Sequence, residues 1–163
     1  MGVWGPGVYQ SDDACDVLDA VCGPLLAVIE RATASDVAMR ADVEDLEQLV
    51  PALDLLAIVS EHVSDRTRHL AGVGWLYPCE LPESSAVLEW KARYLAVWDA
   101  AMGDLRLARG YRVVRRRVIA AAFNRLATIA RTQRLRQRRT ERQIGLRGKP
   151  LGECLTPKPG ETR

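Results

Sequence analysis

The sequence predicts an all-α fold, a compact bundle of four main amphipathic helices followed by a disordered basic tail. Three observations predict it. Apolar residues recur at spacings of three and four in four stretches, breaks containing Gly or Pro separate these stretches, and no stretch alternates apolar and polar residues as a strand would. Of the 163 residues, 48% are apolar, which is enough for the core of one domain.

The first predicted helix spans about residues 12–33. Ser11 or Asp12 supplies its N-cap, because a side-chain oxygen there accepts a hydrogen bond from an early backbone N–H. Gly23-Pro24 interrupts the helix without changing its phase, which predicts either one kinked helix or a break. The predicted core face consists of Ala14, Leu18, Cys22, Leu25 and Ile29.

The second helical region begins near Asp36 or Asp42 and runs to about Ser64. Pro51 lies inside it, so Pro51 either kinks one helix or opens the second of two short ones. The apolar stripe of this region consists of Leu46, Leu49, Val50, Leu53, Leu56 and Val59. A long loop over 65–84, with two glycines and two prolines, follows it, and loops of this length are often functional.

The third predicted helix spans about 85–103 and carries an aromatic-rich stripe. That stripe consists of Val87, Trp90, Tyr94, Val97, Trp98 and Ala101. After a break between Gly103 and Gly110, a fourth helix begins near Tyr111. Its stripe consists of Tyr111, Val114, Val118, Ala122, Leu126 and Ile129, widened by Ile119 and Phe123.

The domain is predicted to cover residues 1–131 and the basic tail residues 132–163. Beyond Arg131 the apolar face fades, and the run 131–142 either continues the helix in solvent or belongs to the tail. After Gly145 the sequence is rich in Gly and Pro, so most of the tail is expected to be disordered.

The charge distribution is strongly asymmetric, although the net charge is only +2. Residues 1–104 contain six Lys or Arg against 18 Asp or Glu, whereas residues 105–163 contain 17 against three. This predicts either a basic appendage for nucleic acid or an acidic partner, or a basic last helix lying against acidic earlier helices. Arg outnumbers Lys 20 to 3, so codon bias in a GC-rich genome is a further explanation of the Arg excess.

The cysteines indicate no disulfide framework. Cys15 and Cys22 are separated by two helical turns, about 10.5 Å along the axis, which is too far for a disulfide. Both are interpreted as buried apolar thiols, and Cys79 and Cys154 fall in irregular segments. No apolar run is long enough to span a membrane, and residues 1–10 lack the features of a secretory signal, so we expect a cytoplasmic protein that binds no membrane.

Three separated motifs resemble a known family. A Met-Gly-x-Trp-Gly-x-Gly opening over 1–7 is followed by Tyr9, Ser11-Asp12, Ala14 and Asp16, and the stretches 90–99 and 116–126 come later in the chain. Together they resemble the bacterial family called domain of unknown function 4259, in which Phe is usual where Tyr9 stands and Asn where Ser11 stands. The resemblance covers about residues 1–130. It implies a small bacterial helical protein and supplies no catalytic residues, and some members are suspected of immunity or conflict-system roles.

The sequence offers no catalytic constellation, cofactor site or metal site. His62 and His69 are seven residues apart, which matches no close pair of zinc ligands. A site built from these histidines and Cys79 requires the loop to fold back. Gly72-Val73-Gly74 lacks the following Lys-Ser/Thr of a phosphate-binding loop. We therefore expect a protein that is not an enzyme, with carboxylates such as Glu89 or Asp99 as the alternative reactive groups.

The expected function is that of a non-enzymatic protein-interaction module. The acidic start of the first helix is either a solvated helix N-terminus or a docking patch for a basic partner, without the spacing of a calcium loop. With the aromatics of the long loop, the predicted partner-binding residues are Asp12, Asp13, Asp16, Asp19, Trp75 and Tyr77. The ladder Trp90, Tyr94 and Trp98 is interpreted as core, with a protein-binding anchor as its alternative.

The alternative function is nucleic-acid binding through the basic C-terminal helix and tail. Arginines bind phosphates without sequence preference, although no aromatic residue in this segment is available to stack on bases. The predicted nucleic-acid-binding residues are Arg131, Arg134, Arg136, Arg138, Arg139 and Arg142.

Overall fold

The computed structural model describes residues 12–67, 79–103 and 109–147. These residues form five α-helices and one π-helical turn and contain no strand. The helices are α1 (Asp12–Thr33), α2 (Asp36–Ala41), α3 (Leu49–Thr67), α4 (Ser84–Gly103) and α5 (Arg109–Arg147), and the π turn is Asp42–Leu46. The predicted all-α class is confirmed, with α1, α3, α4 and α5 as the four main helices.

Helix α1 runs without a break through Pro24. The predicted core positions Leu18, Cys22 and Ile29 are buried, and Leu25 packs against the same core. One continuous helix is therefore the correct alternative for this segment.

The second helical region divides before Pro51. The Ser35 hydroxyl accepts a hydrogen bond from the Ala38 backbone N–H at 3.1 Å and caps α2. The π turn ends at Glu47, whose φ of 42° lies in the left-handed region. Helix α3 then begins at Leu49 with Pro51 in its first turn, where the missing N–H costs no helical hydrogen bond.

Helix α5 lies between α3 and α4. Three polar contacts show that α4 and α5 are antiparallel, because the residue numbers on the α4 side fall as those in α5 rise. They join Arg116 to Asp99 at 3.0 Å, Lys91 to Asn124 at 2.9 Å and Arg134 to Glu83 at 2.7 Å.

Helices α3 and α5 run parallel, and α1 runs antiparallel to α3. In the contacts between the α3 region and α5 the residue numbers of both partners rise together. The pairs are Glu47–Arg115, Glu61–Arg125 and Ser64–Arg136. Arg31 near the end of α1 reaches Gln48 at the start of α3, whereas Leu18 packs on Val63 at the opposite end. The first turns of α1 and the last turns of α5 therefore lie at the same end of the molecule.

One apolar cluster joins all five helices. At its centre the rings of Tyr94 and Phe123 are tilted with centroids 5.7 Å apart, a favourable aromatic arrangement. The large side chains that are fully buried include Ile29, Met39, Leu49, Leu53, Leu56, Ile119 and Leu126. Among the described helices, none is both long and apolar enough to cross a membrane.

The predicted stripe of the last helix is buried only in its later part. Tyr111, Val114 and Val118 are exposed, contrary to the prediction, whereas Ile129 on the same face is buried. The chain before α3 first meets α5 at Arg115. The side of α5 that α3 covers further along therefore has little helix against it over the first turns.

The last helix also extends beyond the predicted domain boundary after residue 131, to Arg147. Contacts with the body explain the extension as far as Arg136. Gln133 is buried and donates to the Cys79 carbonyl at 3.3 Å, Arg134 pairs with Glu83, and Arg136 donates to Ser64. Of the predicted tail, the part over 148–163 lies outside the described residues.

Candidate interaction surfaces on the first and last helices

The outward side of α1 carries the predicted acidic cluster. Asp13, Asp16 and Asp19 are all exposed. A helix turns about 100° per residue, so Asp13 and Asp16 face away from the buried side and Asp19 lies at the edge of the outward face. Asp12 begins the helix, but its side chain is outside the described part of the structure. The structure thus brings Asp13 and Asp16 onto one surface.

Apolar side chains continue this surface along α1. Val17 is 63% exposed and Val21 47% exposed. A single exposed valine is ordinary. Here two exposed valines occur on successive turns of one helix face, beside other small or apolar side chains. We call this face the α1 surface; it consists of Asp13, Asp16, Val17, Ala20, Val21 and Pro24, all exposed.

Carboxylates on α3 and α4 have a different environment, because arginines of α5 neutralise them. Arg125 donates to Glu61 at 3.0 Å and to Asp54 at 3.1 Å, and these hydrogen bonds raise the pKa of its guanidinium. Asp99 accepts from Arg116. The predicted alternative of a basic last helix against acidic earlier helices is thus confirmed for these residues.

The carboxylates of the α1 surface are not used in this way. Asp13 and Asp16 form no hydrogen bond or ion pair with any other described residue. Their charges therefore form no ion pair that joins α1 to another described helix. They remain available to a partner.

The six predicted nucleic-acid-binding arginines divide into two groups. Arg134 and Arg136 contact Glu83 and Ser64, so both are tied to the body. The other four, Arg131, Arg138, Arg139 and Arg142, are exposed and, among the described residues, make no hydrogen bond or ion pair. Leu135 is 53% exposed between them. We call Arg131, Leu135, Arg138 and Arg142, which recur at helical spacing on one face, the α5 surface.

A buried polar contact that the sequence analysis missed fixes the middle of the fold. Asp42 is 3% exposed, and its Oδ1 accepts from the backbone N–H groups of Gln48 and Leu49 at 2.9 and 3.1 Å. Its Oδ2 accepts from the Tyr94 hydroxyl at 2.9 Å. Burial, together with the neighbouring carboxylate, raises the pKa of Tyr94. Asp42 is therefore a cap for α3 and an anchor for α4, with its oxygens already occupied.

The aromatic ladder of α4 belongs to the core, as interpreted. Tyr94 and Trp98 are buried, and Trp90 packs partly buried against the same cluster. Trp75 and Tyr77, the other aromatics predicted to contact a partner, lie outside the described residues.

Two thiols meet inside the molecule. Cys22 of α1 is buried, and the thiol of Cys79, which precedes α4, lies near enough to influence its pKa. Burial is the main cause that raises the pKa of Cys79 to about 12, and burial also raises the pKa of Cys22. Both thiols are thus protonated near neutral pH and are poor nucleophiles or metal ligands. No spacing in the sequence could have indicated this contact, because Cys22 lies in α1 and Cys79 lies far along the chain, before α4 begins.

The residues considered for enzyme chemistry do not converge. His62 and Glu89 are exposed on different helices, and Asp99 is paired with Arg116. A small open pocket of about 120 Å³ lies between the end of α4 and the start of α5, lined by Trp98, Asp99, Met102, Arg112, Val113 and Arg116. Within the described ranges, no group of three His, Cys, Asp or Glu side chains is placed to hold a metal ion.

Comparisons with known proteins add no relative. The chain matches no protein-family model, no curated protein and no solved structure. The resemblance to domain of unknown function 4259 therefore stays a prediction.

Proposed function

We propose that the protein is a non-enzymatic interaction module that binds another protein through the α1 surface. The observation that carries this proposal is the exposure of Val17 and Val21 beside two carboxylates without a described partner. Val17 and Val21 expose apolar surface to water there. Burial of this surface against a partner would stabilise the complex by roughly 25 cal/mol per Å².

The chemistry of the α1 surface defines the kind of partner. Asp13 and Asp16 favour a basic counterpart, which would bind faster at low salt because opposite charges steer the encounter. The strip from Val17 to Pro24 favours apolar side chains in the middle of the contact. A basic amphipathic helix combines both properties, with charges at the rim and apolar groups at the centre.

A photo-crosslinking amino acid at position 17 tests the proposal. The benzophenone side chain replaces Val17 in full-length protein made in its native cells, and the control carries it at Val37, which is 79% exposed on α2. We expect one predominant protein adduct from position 17 that is absent from position 37. Equal adducts at both positions, or none at position 17, would contradict the proposal.

The second candidate function is nucleic-acid binding through the α5 surface. Its support is the set of four exposed arginines near the end of α5. Such contacts predict an affinity for DNA or RNA that falls steeply between 50 and about 200 mM salt. Replacing Arg138, Arg139 and Arg142 by Ala should abolish the shift in a gel assay, whereas Arg117→Ala should leave it unchanged. Equal binding by all these variants would remove the α5 surface from consideration.

The remaining predictions extend the proposal. We propose a cytoplasmic location, and a role in immunity or conflict systems follows only from the resemblance to domain of unknown function 4259. Identification of the protein that crosslinks to position 17 addresses both, since a toxin as partner would support the immunity role.

A further inference from the structure

The end of α5 projects past the helices that pack on it. At 1.5 Å per residue, the 39 residues of α5 extend about 58 Å, whereas the 20 residues of α4 extend about 30 Å. The last contacts of α5 with the body in the described set are Arg134–Glu83 and Arg136–Ser64. Residues 137–147 add about 16 Å beyond them.

This projecting end is basic, and it lies at the same pole as the acidic start of α1. Leu18 near the start of α1 packs on Val63, and Arg136 of α5 donates to Ser64. The start of α1 and the projecting end of α5 therefore both lie at the end of α3. The molecule nevertheless leaves these charges separate, because neither Asp13 nor Asp16 pairs with an arginine of its own chain within the described residues. Exposed charges of opposite sign therefore lie at the same end of the described helices without pairing with each other.

The two surfaces match in pattern as well as in charge. The α5 surface presents Leu135 among Arg131, Arg138 and Arg142, on one face of a helix. The α1 surface presents Val17 and Val21 beside Asp13 and Asp16. The α1 surface thus combines an apolar strip with negative charges, and the α5 surface combines one exposed leucine with positive charges, so the two are complementary in charge.

We infer that the partner of the α1 surface is a second copy of this chain, which contributes its α5 surface. This inference rests on the proposed function. In the inferred assembly a two-fold axis relates the two copies, so that the contact is made twice. The α1 surface of each binds the α5 surface of the other, and the assembly closes as a dimer.

The charge content of the chain favours this occupant over nucleic acid. The α1 surface carries two carboxylates and the α5 surface three arginines, and none of these groups is paired within the described residues. A second copy neutralises both surfaces at once. Nucleic acid would neutralise only the arginines and would be repelled by Asp13 and Asp16 at the same pole.

Charge reversal on each surface tests the inference by sedimentation velocity at low salt. We expect the full-length protein to dimerise in about 50 mM salt and to dissociate in about 500 mM salt, because these exposed charges are screened. Asp13→Lys with Asp16→Lys should weaken the dimer about tenfold or more, and Arg138→Glu with Arg142→Glu should do the same. Asp45→Lys and Arg117→Glu are matched controls on exposed sites, and neither should change the association.

Mixing the two reversed proteins provides the decisive result. The acidic-to-basic variant and the basic-to-acidic variant carry complementary surfaces at both contacts, so their mixture should dimerise although neither does alone. A chain with all four substitutions should regain the homodimer. Circular dichroism of each variant establishes that it is folded.

Three results would overturn the inference. They are a monomer at all concentrations in 50 mM salt, a dimer that ignores the reversals, and a mixture that does not associate. If the full-length protein is monomeric while position 17 still crosslinks to a different protein, the proposed function stands and only the second copy is wrong. A monomer whose Arg138 and Arg142 are needed to bind DNA or RNA would favour nucleic acid instead.

Discussion

Charged residues in the layer of α3, α4 and α5 differ sharply from those at the pole where α1 begins and α5 ends. In the layer, Arg116 and Arg125 neutralise carboxylates of neighbouring helices. At the pole, Asp13 and Arg138 are exposed and make no described ion pair. Both regions contribute to the same asymmetry in the sequence. An excess of charged residues in a sequence therefore indicates a binding surface only when the residues that pair within the protein are left out of the count.

Apolar residues show the same contrast. Phe123 is wholly buried between helices, whereas Val17 is mostly in water. The comparison therefore predicts large losses of stability for changes within the layer and nearly none for changes at the pole. Substitutions at the pole should act on association.

The largest effect is expected from Phe123→Ala. Removing the ring leaves a cavity beside Tyr94 and should lower the free energy of unfolding by about 4 kcal/mol. Urea denaturation measures it, with Val17→Ala as the control that should change stability by less than about 0.5 kcal/mol. Similar losses for both substitutions would break the distinction between the layer and the pole.

Asp42→Ala should destabilise the protein by about 3 kcal/mol. It leaves the Tyr94 hydroxyl and two backbone N–H groups without their acceptor in a buried place. Asp45→Ala removes an exposed carboxylate from the same π turn and should have little effect. Equal denaturation midpoints for the two variants would show that Asp42 is not the anchor described.

Arg125→Ala should cost about 1 kcal/mol, because the guanidinium bridges Asp54 and Glu61 but is partly exposed and screened by water. The loss should shrink in 1 M salt. Arg117→Ala, on the outward side of the same helix, serves as the control and should be neutral. A salt-independent loss would assign the effect of Arg125 to packing of its aliphatic stem.

The smallest effect at neutral pH is expected from Cys79→Ala, below about 1 kcal/mol. Its pKa in the folded protein is raised, so the wild-type thiol favours folding fully below pH 9 and loses that contribution as the pH rises toward 12. The stability advantage of the wild type over the variant should therefore decrease across this range. Chemical denaturation at pH 7, 9 and 10.5 measures it, and a constant difference would contradict the raised pKa.

Periodicity in the sequence was sufficient to predict the main helices, since apolar residues at each turn report which side of a helix is buried. The predicted bounds of 12–33 and 85–103 agree with α1 and α4 to within one residue. Periodicity does not report what lies against that side. Tyr111 fits the stripe of α5 and is exposed, because α3 begins beside a later part of α5 and leaves this side of its first turns uncovered.

Contacts between residues that are far apart in the sequence could not be predicted, for the same reason. Asp42 was predicted only as a possible helix start, although it caps α3 and binds Tyr94 52 residues away. The acidic cluster was predicted correctly as exposed at Asp13, Asp16 and Asp19. The exposure of Val17 and Val21 could not be predicted in the same way, since the apolar period of α1 identifies only its buried face.

The position of α5 between α3 and α4 has a consequence for biosynthesis. The described parts of α3 and α4 contact α5 far more than they contact each other, so the faces that they turn to α5 stay uncovered until α5 leaves the ribosome. Gln133 and Arg134 still contribute contacts near the end of that helix. A nascent chain stalled before them would lack the helix on which α3 and α4 pack, so these two helices complete their packing only after α5 has emerged.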